Sequence, residues 1–157
     1  MISQTSEYAL RAVVYLATIG GGPATTQEIA AATRVPAGYL SKVLRILAKA
    51  GLLIAQRGVG GGFALSRGPD EITALDVLRA ADSWMSRITE CPLGIPGHAT
   101  LCSLHKLIDD VIAQTEQAFD AVTIQNLLED AETTRSLCKP TDPQPIRLDL
   151  PERNTSD

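Results

Sequence analysis

Residues 27–65 read QEIAAATRVPAGYLSKVLRILAKAGLLIAQRGVGGGFAL, and this stretch decides the fold. Two threonines precede an apolar-periodic segment, as capping residues do, and Val35-Pro36 ends it because the residue before a proline avoids helical torsion angles. A second helix is predicted over about 37–49, after a turn so short that the two helices must cross. Its apolar residues recur at three- and four-residue spacing on one face: Leu40, Val43, Leu44 and Leu47. The pattern predicts a helix-turn-helix.

The opposite face of the second helix is polar and basic. A short helix with one buried face and one basic face suits the major groove of DNA, where side chains reach base edges and phosphates. We therefore expect this helix to be a recognition helix. Its residues expected to contact DNA lie off the apolar face: Gly38, Tyr39, Ser41, Lys42 and Arg45.

A β-hairpin wing is predicted after the second helix. Two short apolar runs, 52–56 and 63–65, read as paired strands, and the glycines between them tolerate the positive φ of a tight tip. A positive side chain at such a tip can enter a minor groove. The tip residues expected to contact DNA are Arg57, Gly58 and Gly60. An ordinary glycine hairpin is the alternative, whereas a nucleotide-binding loop is disfavoured because no Gly-Lys-Ser/Thr ending follows and Phe63 replaces a third fingerprint glycine.

Charge is distributed unevenly along the chain. Residues 25–67 carry six lysines and arginines against one glutamate, which is a local charge of +5. Because the whole chain carries −4, the remainder carries −9. A basic segment on an acidic protein confines nucleic-acid affinity to one face. Neutralisation of phosphates dominates such affinity, so we expect binding to double-stranded DNA to weaken strongly with salt.

Length and composition favour a cytoplasmic protein over a secreted or membrane protein. A chain of 157 residues suits one compact domain plus an extension. Its three unevenly spaced cysteines do not make a disulfide framework, and the charges of Glu7 and Arg11 argue against a signal peptide. The longest uncharged span, 12–27, contains glycine and proline and is too short to cross a membrane. We expect a cytoplasmic location, where thiols stay reduced, and no membrane partner.

The second half of the chain is predicted to be a loop, a long helix and a tail. Prolines and glycines accumulate over 83–100, and helical periodicity then returns as the alternating spacing of a coiled-coil seam. The seam residues are Leu101, Leu104, Ile108, Val111, Thr115, Ala118 and Val122. Packing within the chain is the alternative, but the small preceding domain cannot cover the whole seam, so a homodimer is the better interpretation. The expected parts are a DNA-binding domain at 1–82, a cysteine-containing loop at 83–100, dimerisation helices at 101–130 and a disordered tail at 131–157. The predicted fold class is mainly α, a winged helix-turn-helix followed by a long dimerisation helix.

Two cysteines bracket the glycine- and proline-rich part of the loop. Cys91 lies within 83–100 and Cys102 just after it, and His105 comes one helical turn after Cys102, so these last two side chains point the same way. Thiolate and imidazole are suitable ligands for an iron–sulfur cluster or for zinc. The interpretation of both cysteines as small buried residues is nearly as strong. Cys138, at the edge of the tail, is a candidate redox thiol.

Three motifs together resemble the Rrf family of bacterial winged-helix regulators. They are YLSKVL with LAKAGL in 39–52, RGVGGGFAL at 57–65 and ITALDV at 72–77. The resemblance covers about 3–128. It implies a winged-helix fold and a homodimer that binds DNA, in a family that contains an iron–sulfur regulator, a nitric-oxide sensor and a regulator of cysteine metabolism.

The resemblance also implies a set of metal ligands. In the cluster-binding members the loop carries three cysteines, and in one branch a histidine three residues after the last is also a ligand. Three residues match this pattern: Cys91, Cys102 and His105. The middle cysteine is absent, so a 2Fe–2S cluster would need either His98, near its place, or Glu7, which occupies the place of an acidic ligand that some members contribute from the partner subunit. For Glu7 alone, an i,i+4 ion pair with Arg11 is the better interpretation.

Three functions are compatible with the sequence. The first is a homodimeric, sequence-specific DNA-binding repressor that senses redox, nitric oxide or iron–sulfur status through a cluster in the Cys91–His105 loop. The second is a cofactor-free winged-helix regulator controlled by a small molecule or a partner protein. The third is a winged helix that binds proteins without DNA, against which the charge asymmetry and Arg57 argue. An enzyme is not expected, because no nucleophile with a base, phosphate cradle or carboxylate pair has a recognisable spacing.

Overall fold

The computed structural model describes residues 2–20, 22–81, 86–92 and 100–129. The elements in these ranges are α1 (Gln4–Thr18), α2 (Thr26–Thr33), α3 (Ala37–Lys49), β1 (Leu53–Gln56), β2 (Gly62–Leu65), α4 (Ala74–Ala81), α5 (Ser103–Asp120) and α6 (Ile124–Glu129). The two strands form one antiparallel hairpin. The predicted fold class, a mainly α winged helix-turn-helix, is confirmed. His98, Cys138 and the predicted tail lie outside the described residues.

Local hydrogen bonds explain where α2 begins and where α3 ends. The Thr25 hydroxyl accepts from the Glu28 amide, and the Glu28 carboxylate accepts from the Thr25 amide at 2.7 Å, which is a reciprocal capping box. The Thr25 amide, and after it the Thr25 hydroxyl, which donates to the same carboxylate at 2.8 Å, lower the pKa of Glu28. After α3 the Leu52 amide donates to the Leu47 carbonyl at 3.0 Å. This hydrogen bond spans Gly51 and caps the C-terminus of the helix before β1 begins.

The wing is tied to the segment that precedes α2. The amides of Ala24 and Phe63 each donate to the other's carbonyl, at 3.0 and 2.8 Å. This approach requires glycine beside Phe63, because a Cβ on Gly62 would lie 2.2 Å from the Ala24 carbonyl oxygen. At the tip, Gly60 has a φ of +77°, a conformation that other residues rarely adopt. The base of the wing is therefore fixed to the helix-turn-helix.

One hydrophobic core joins α1 to α4 and includes α6. α1 contacts α2, α3, α4 and α6, and so lies at its centre. The largest fully buried side chains are Leu16, Ile29, Leu40, Leu44, Leu47, Ile72, Leu78 and Ile124. Full burial of such a side chain stabilises the fold by roughly 1.5–3 kcal/mol. The Ile124 amide donates to the Ile72 carbonyl at 2.8 Å, which brings α6 against the residues that lead into α4.

α5 leaves an apolar surface uncovered. Of its 18 residues only Asp109 and Ile112 are buried. Its exposed large hydrophobic side chains, here called the apolar stripe, are Leu104, Leu107, Ile108 and Val111. Three of the four belong to the predicted seam, and Leu107 broadens it. None of the described helices combines the length and the hydropathy that crossing a membrane requires.

Candidate DNA-binding face and metal site

Five exposed cations on the helix-turn-helix and wing have no acidic partner among the residues that the structure describes. These residues, called the basic face, are Arg34, Lys42, Arg45, Lys49 and Arg57. A sixth cation, Arg67, pairs with Asp76 at 2.8 Å. Charges that no neighbouring carboxylate neutralises remain available to phosphates.

The residues predicted to contact DNA are accessible, with one exception. Gly38, Lys42 and Arg45 are exposed on α3, and all three predicted tip residues of the wing are exposed, whereas Ser41 is half-buried. Arg34 and Lys49 contribute to the local charge of +5 but are not among the residues predicted to contact DNA. Their exposure adds both to the surface that can bind phosphates.

Tyr39 lies between the recognition helix and α1. Its hydroxyl is 2.6 Å from Thr5 Oγ1, and its ring packs edge-on against Tyr8 with centroids 5.7 Å apart. The side chain is still 39% exposed. Tyr39 therefore fixes the first turn of α3 against α1, while part of the residue stays exposed.

The structure brings three predicted metal ligands together. Cys91 Sγ lies 3.5 Å and Cys102 Sγ 3.2 Å from His105 Nδ1, and the three donor atoms all lie within 4.8 Å of one another. All three side chains are half-buried. We call them the donor triad. Glu7 is not part of this group and instead pairs with Arg11 on α1.

Cys102 occupies the N-cap of α5. Its side chain makes no capping hydrogen bond and instead contacts the His105 ring. The backbone amides of the first turn nevertheless face the sulfur, and the amide of His105 most strongly, followed by the Cys91 thiol, lowers the pKa of Cys102. A lower pKa favours the thiolate, which is the form that binds metals.

Residues 86–92, here called the strap, are clamped to α5 by one carboxylate. Asp109 accepts from Arg87 Nε and Nη2, both at 2.7 Å, and from the Ile88 amide at 2.9 Å. These contacts, the Arg87 hydrogen bonds first, lower the pKa of Asp109 from 3.8 to about 2. Asp109 follows His105 by one helical turn, and Arg87 precedes Cys91 by four residues. The strap therefore runs antiparallel to α5, and the clamp aligns Cys91 with His105.

The roles of Arg87 and Asp109 were not predicted from the sequence. Asp109 is not one of the predicted seam residues. The available signal was its i,i+4 spacing from His105, matched by the same spacing between Arg87 and Cys91. That match has meaning only once the strap is known to pack against α5.

Sequence comparison identifies the family of this chain. Residues 2–130 match the family described as Rrf2, iron-dependent transcriptional regulator. The chain is 31% identical over 142 residues to the transcriptional regulator NsrR of Geobacillus kaustophilus, covering 88% of this chain and 96% of that protein. It is 30% identical over 134 residues to the regulator IscR of Aliivibrio salmonicida, covering 83% of this chain and 79% of that protein.

Solved structures show the same fold. The structure is similar to CymR, the global cysteine regulator of B. subtilis, with a TM-score of 0.68, 26% identity and coverage of 82% of this chain and 96% of that chain. It is also similar to T. potens IscR, with a TM-score of 0.69, 26% identity and coverage of 83% and 88%. These relatives are transcriptional regulators and not enzymes, as expected for this chain. The chain belongs to the Rrf2 family of transcriptional regulators, which confirms the resemblance found in its motifs.

Proposed function

We propose that this protein is a homodimeric, sequence-specific DNA-binding repressor whose operator affinity depends on a metal centre at the donor triad. The observation that carries DNA binding is the basic face of an Rrf2 chain: exposed cations on the helix-turn-helix and wing that have no acidic partner within the described ranges. Such a surface attracts the phosphate backbone, and α3 supplies side chains that can reach base edges.

Each DNA-binding unit would use two grooves. The first half of α3, with Gly38, Tyr39, Ser41, Lys42 and Arg45, would enter the major groove. The wing tip, with Arg57, Gly58 and Gly60, would lie over the adjacent minor groove. Phosphate contacts position such a protein and base contacts give it specificity, so the two groups of residues have separable effects on binding.

The apolar stripe supports dimerisation. Leu104 and Leu107 are 61 and 62% exposed, a strong departure from the burial of the core leucines. A contiguous exposed apolar surface of this kind marks an interaction site. An apolar cleft of about 410 Å³, lined in part by the seam residues Ala118 and Val122, continues the surface toward α1 and α6. A second copy of α5 is the occupant that we propose for it, which would place two recognition helices on half-sites about 34 Å apart.

The position of the donor triad supports its use as a sensor. Cys91 lies on the strap, which follows α4 in the chain, while Cys102 and His105 begin α5. A group bound by all three would fix the strap to α5 and thereby the DNA-binding unit to the proposed dimer helix. The Rrf2 description as iron-dependent and the kinship with regulators named NsrR and IscR favour a metal-linked signal. The 2Fe–2S cluster expected from the resemblance stays a prediction.

The proposal is tested with Ile108→Glu in the full chain. A carboxylate in the apolar stripe would be buried without a partner at the dimer contact, so the variant should be monomeric by light scattering. Loss of the second half-site should weaken operator binding by about a hundredfold or more in an anisotropy titration. Gln117→Glu adds the same charge at an exposed position of α5 off the apolar stripe and should change neither measurement.

Three results would contradict the proposal. A folded Ile108→Glu protein with the mass of the parent would remove the apolar stripe as the dimer contact. A parent protein that shows no preference among genomic DNA fragments would remove sequence-specific binding. Equal operator affinity before and after chelation and metal reconstitution would leave the cofactor-free regulator in its place.

A further inference from the structure

We propose that the donor triad binds a single thiophilic divalent cation, Zn²⁺ foremost, rather than a two-iron cluster, and that Arg87 and Asp109 position Cys91 for it. This inference deepens the proposed function, on which it rests for the use of the site, by naming the occupant. It rests on the distances between the three donor atoms and on the clamp that holds the strap.

The donor distances fit one tetrahedral ion. Zinc is bound at about 2.3 Å by sulfur and 2.0 Å by nitrogen, so a sulfur and a nitrogen on the same tetrahedral ion lie about 3.5 Å apart. Cys91 Sγ lies 3.5 Å and Cys102 Sγ 3.2 Å from His105 Nδ1. The two sulfur–nitrogen distances of the triad are therefore close to those of a mononuclear site.

A two-iron cluster requires a different arrangement. Its four ligands bind in pairs to two irons, and the irons and bridging sulfides separate one pair from the other. In the donor triad each atom lies within 4.8 Å of the other two, so no donor stands apart from the rest. Within the ranges that the structure describes, no fourth histidine, cysteine or carboxylate joins the group. The donor types suit iron–sulfur chemistry, but the convergence of the three described donors does not.

The chemistry of the donors selects the ion. Two thiolates and one imidazole are soft and intermediate ligands, which favour zinc over magnesium, calcium or manganese. The three described ligands occupy three positions of a tetrahedral ion, and water or another small ligand could take the fourth. Such an open position would let the bound ion exchange or take up a further ligand, as a sensor requires.

The Arg87–Asp109 clamp sets the position of Cys91. The two contacts between strap and α5 are separated by four residues on each side, so the clamp and the Cys91–His105 contact hold one short segment at two points. The Asp109 side chain is only 12% exposed, and it also accepts the Ile88 amide. Without the clamp, the segment that carries Cys91 would be less restrained. Cys91 would then lie close to the other two donors less often. Partners of this kind typically change metal affinity by 10–100-fold.

The experiment titrates the full-length, metal-free and reduced protein with Co²⁺, a visible probe for tetrahedral zinc sites, and then displaces it with Zn²⁺. We expect one ion per chain and a thiolate-to-cobalt absorption band. The band should be lost in Cys91→Ser and Cys102→Ser and weakened in His105→Ala. Arg87→Gln and Asp109→Asn should keep the band but bind the ion about 10–100-fold more weakly.

The matched control is Arg79→Gln, which breaks a different ion pair to α5, with Glu116 at 2.8 Å, and leaves the strap intact. It should bind Co²⁺ like the parent. If Asp109→Asn loses its helical circular dichroism, Arg87→Lys is used instead. Arg87→Lys keeps the positive charge and loses only the two-pronged contact with Asp109. Its affinity for Co²⁺ should lie between those of the parent and Arg87→Gln. Equal affinity for Arg87→Gln, Arg79→Gln and the parent would overturn the positioning role.

A second measurement separates this inference from the proposed function. The protein is reconstituted anaerobically with iron and sulfide in the presence of equimolar Zn²⁺, and its metals and sulfide are assayed. One zinc per chain without sulfide supports the inference, whereas two irons and two sulfides per chain overturn it. Operator binding is measured on the same samples: failure to bind DNA by a protein that holds one zinc contradicts the proposed function alone.

Discussion

α3 and α5 are both amphipathic helices, but only α3 is covered by its own chain. All four apolar residues on the inner face of α3 are buried, whereas α5, which is five residues longer, buries only Asp109 and Ile112. The two helices also differ in whether their charged residues have partners of opposite charge. The cations of α3 have no acidic partner among the described residues, while the charged residues of α5 pair with the strap, with α4 and with each other.

This contrast separates two kinds of stability within one chain. The helix-turn-helix and wing share a core with α1, α4 and α6 of the same chain, so their stability should be independent of protein concentration. The apolar stripe has nothing over it in a single chain, so its contribution to stability should arise on association. The three predictions below test this division, beginning with the largest effect.

Leu44→Ala and Leu107→Ala remove the same atoms from the two helices. Leu44 is fully buried, so its truncation should cost about 2–5 kcal/mol of unfolding free energy. Leu107 is 62% exposed, so at a protein concentration where the chain is monomeric its truncation should cost less than about 0.5 kcal/mol. Urea unfolding at two protein concentrations measures both, and the cost of Leu107→Ala should rise with concentration. Equal costs for the two variants at every concentration would mean that α5 packs within its own chain.

Arg57→Ala tests whether cations without an acidic partner among the described residues contribute more to DNA affinity than paired cations do. If its side chain enters a groove of the operator, the substitution should weaken binding by about 1–3 kcal/mol and reduce the dependence on salt. Arg79→Ala removes the same charge from α4, where the side chain pairs with Glu116, and should leave the affinity close to that of the parent. Fluorescence anisotropy at two salt concentrations gives both quantities. Indistinguishable titrations for Arg57→Ala and the parent would take the wing out of DNA recognition.

The smallest expected effect is the contribution of the Asp109 clamp to thermal stability, and this contribution depends on pH. The pKa of Asp109 is about 2 in the folded chain against an ordinary 3.8. A carboxylate whose pKa is depressed by folding contributes stability that is complete above about pH 5 and is lost as the pH falls toward the folded pKa. The difference in melting temperature between the parent and Asp109→Asn should therefore be constant above that pH and close between about pH 4 and pH 2.

Asp110→Asn is the control for this measurement. It removes an exposed i,i+4 ion pair with Lys106, and such pairs contribute little to stability. Its melting temperature should stay close to that of the parent across the same range. If the difference in melting temperature between the parent and Asp109→Asn stays unchanged down to pH 2, the substitution acts through something other than the loss of the carboxylate charge.

The local parts of the fold could be predicted because their causes lie within a few residues of one another. The predicted bounds of α3 agree with the structure, since the apolar spacing within the helix and the glycine at 51 after it act locally. The capping role of the threonine at 25 is likewise local to the start of α2. The proximity of Cys102 and His105 follows from one helical turn in the same way. The motifs sufficed to identify the family, as the match over residues 2–130 confirms.

The rest depends on tertiary contacts that no periodicity records. Arg87 and Asp109 are 22 residues apart, and their pairing brings Cys91 to His105. The bridge between Ala24 and Phe63 likewise joins distant segments, and a run of glycines alone does not reveal which of them allows it. The contacts with DNA, the dimer and the metal involve molecules outside the single chain, so they stay predictions.

That bridge has a consequence for the mechanics of DNA recognition. Because Gly62 lets the two backbones exchange hydrogen bonds, the base of the wing is held against the segment that leads into α2. In the proposed DNA complex this contact would keep the spacing between α3 and the wing tip constant. Binding at the donor triad would then change how the two DNA-binding units of the proposed dimer are related, in translation and rotation, and would leave each unit unchanged. In hydrogen exchange the amides of Ala24 and Phe63 should therefore stay as protected when the donor triad is filled as when it is empty.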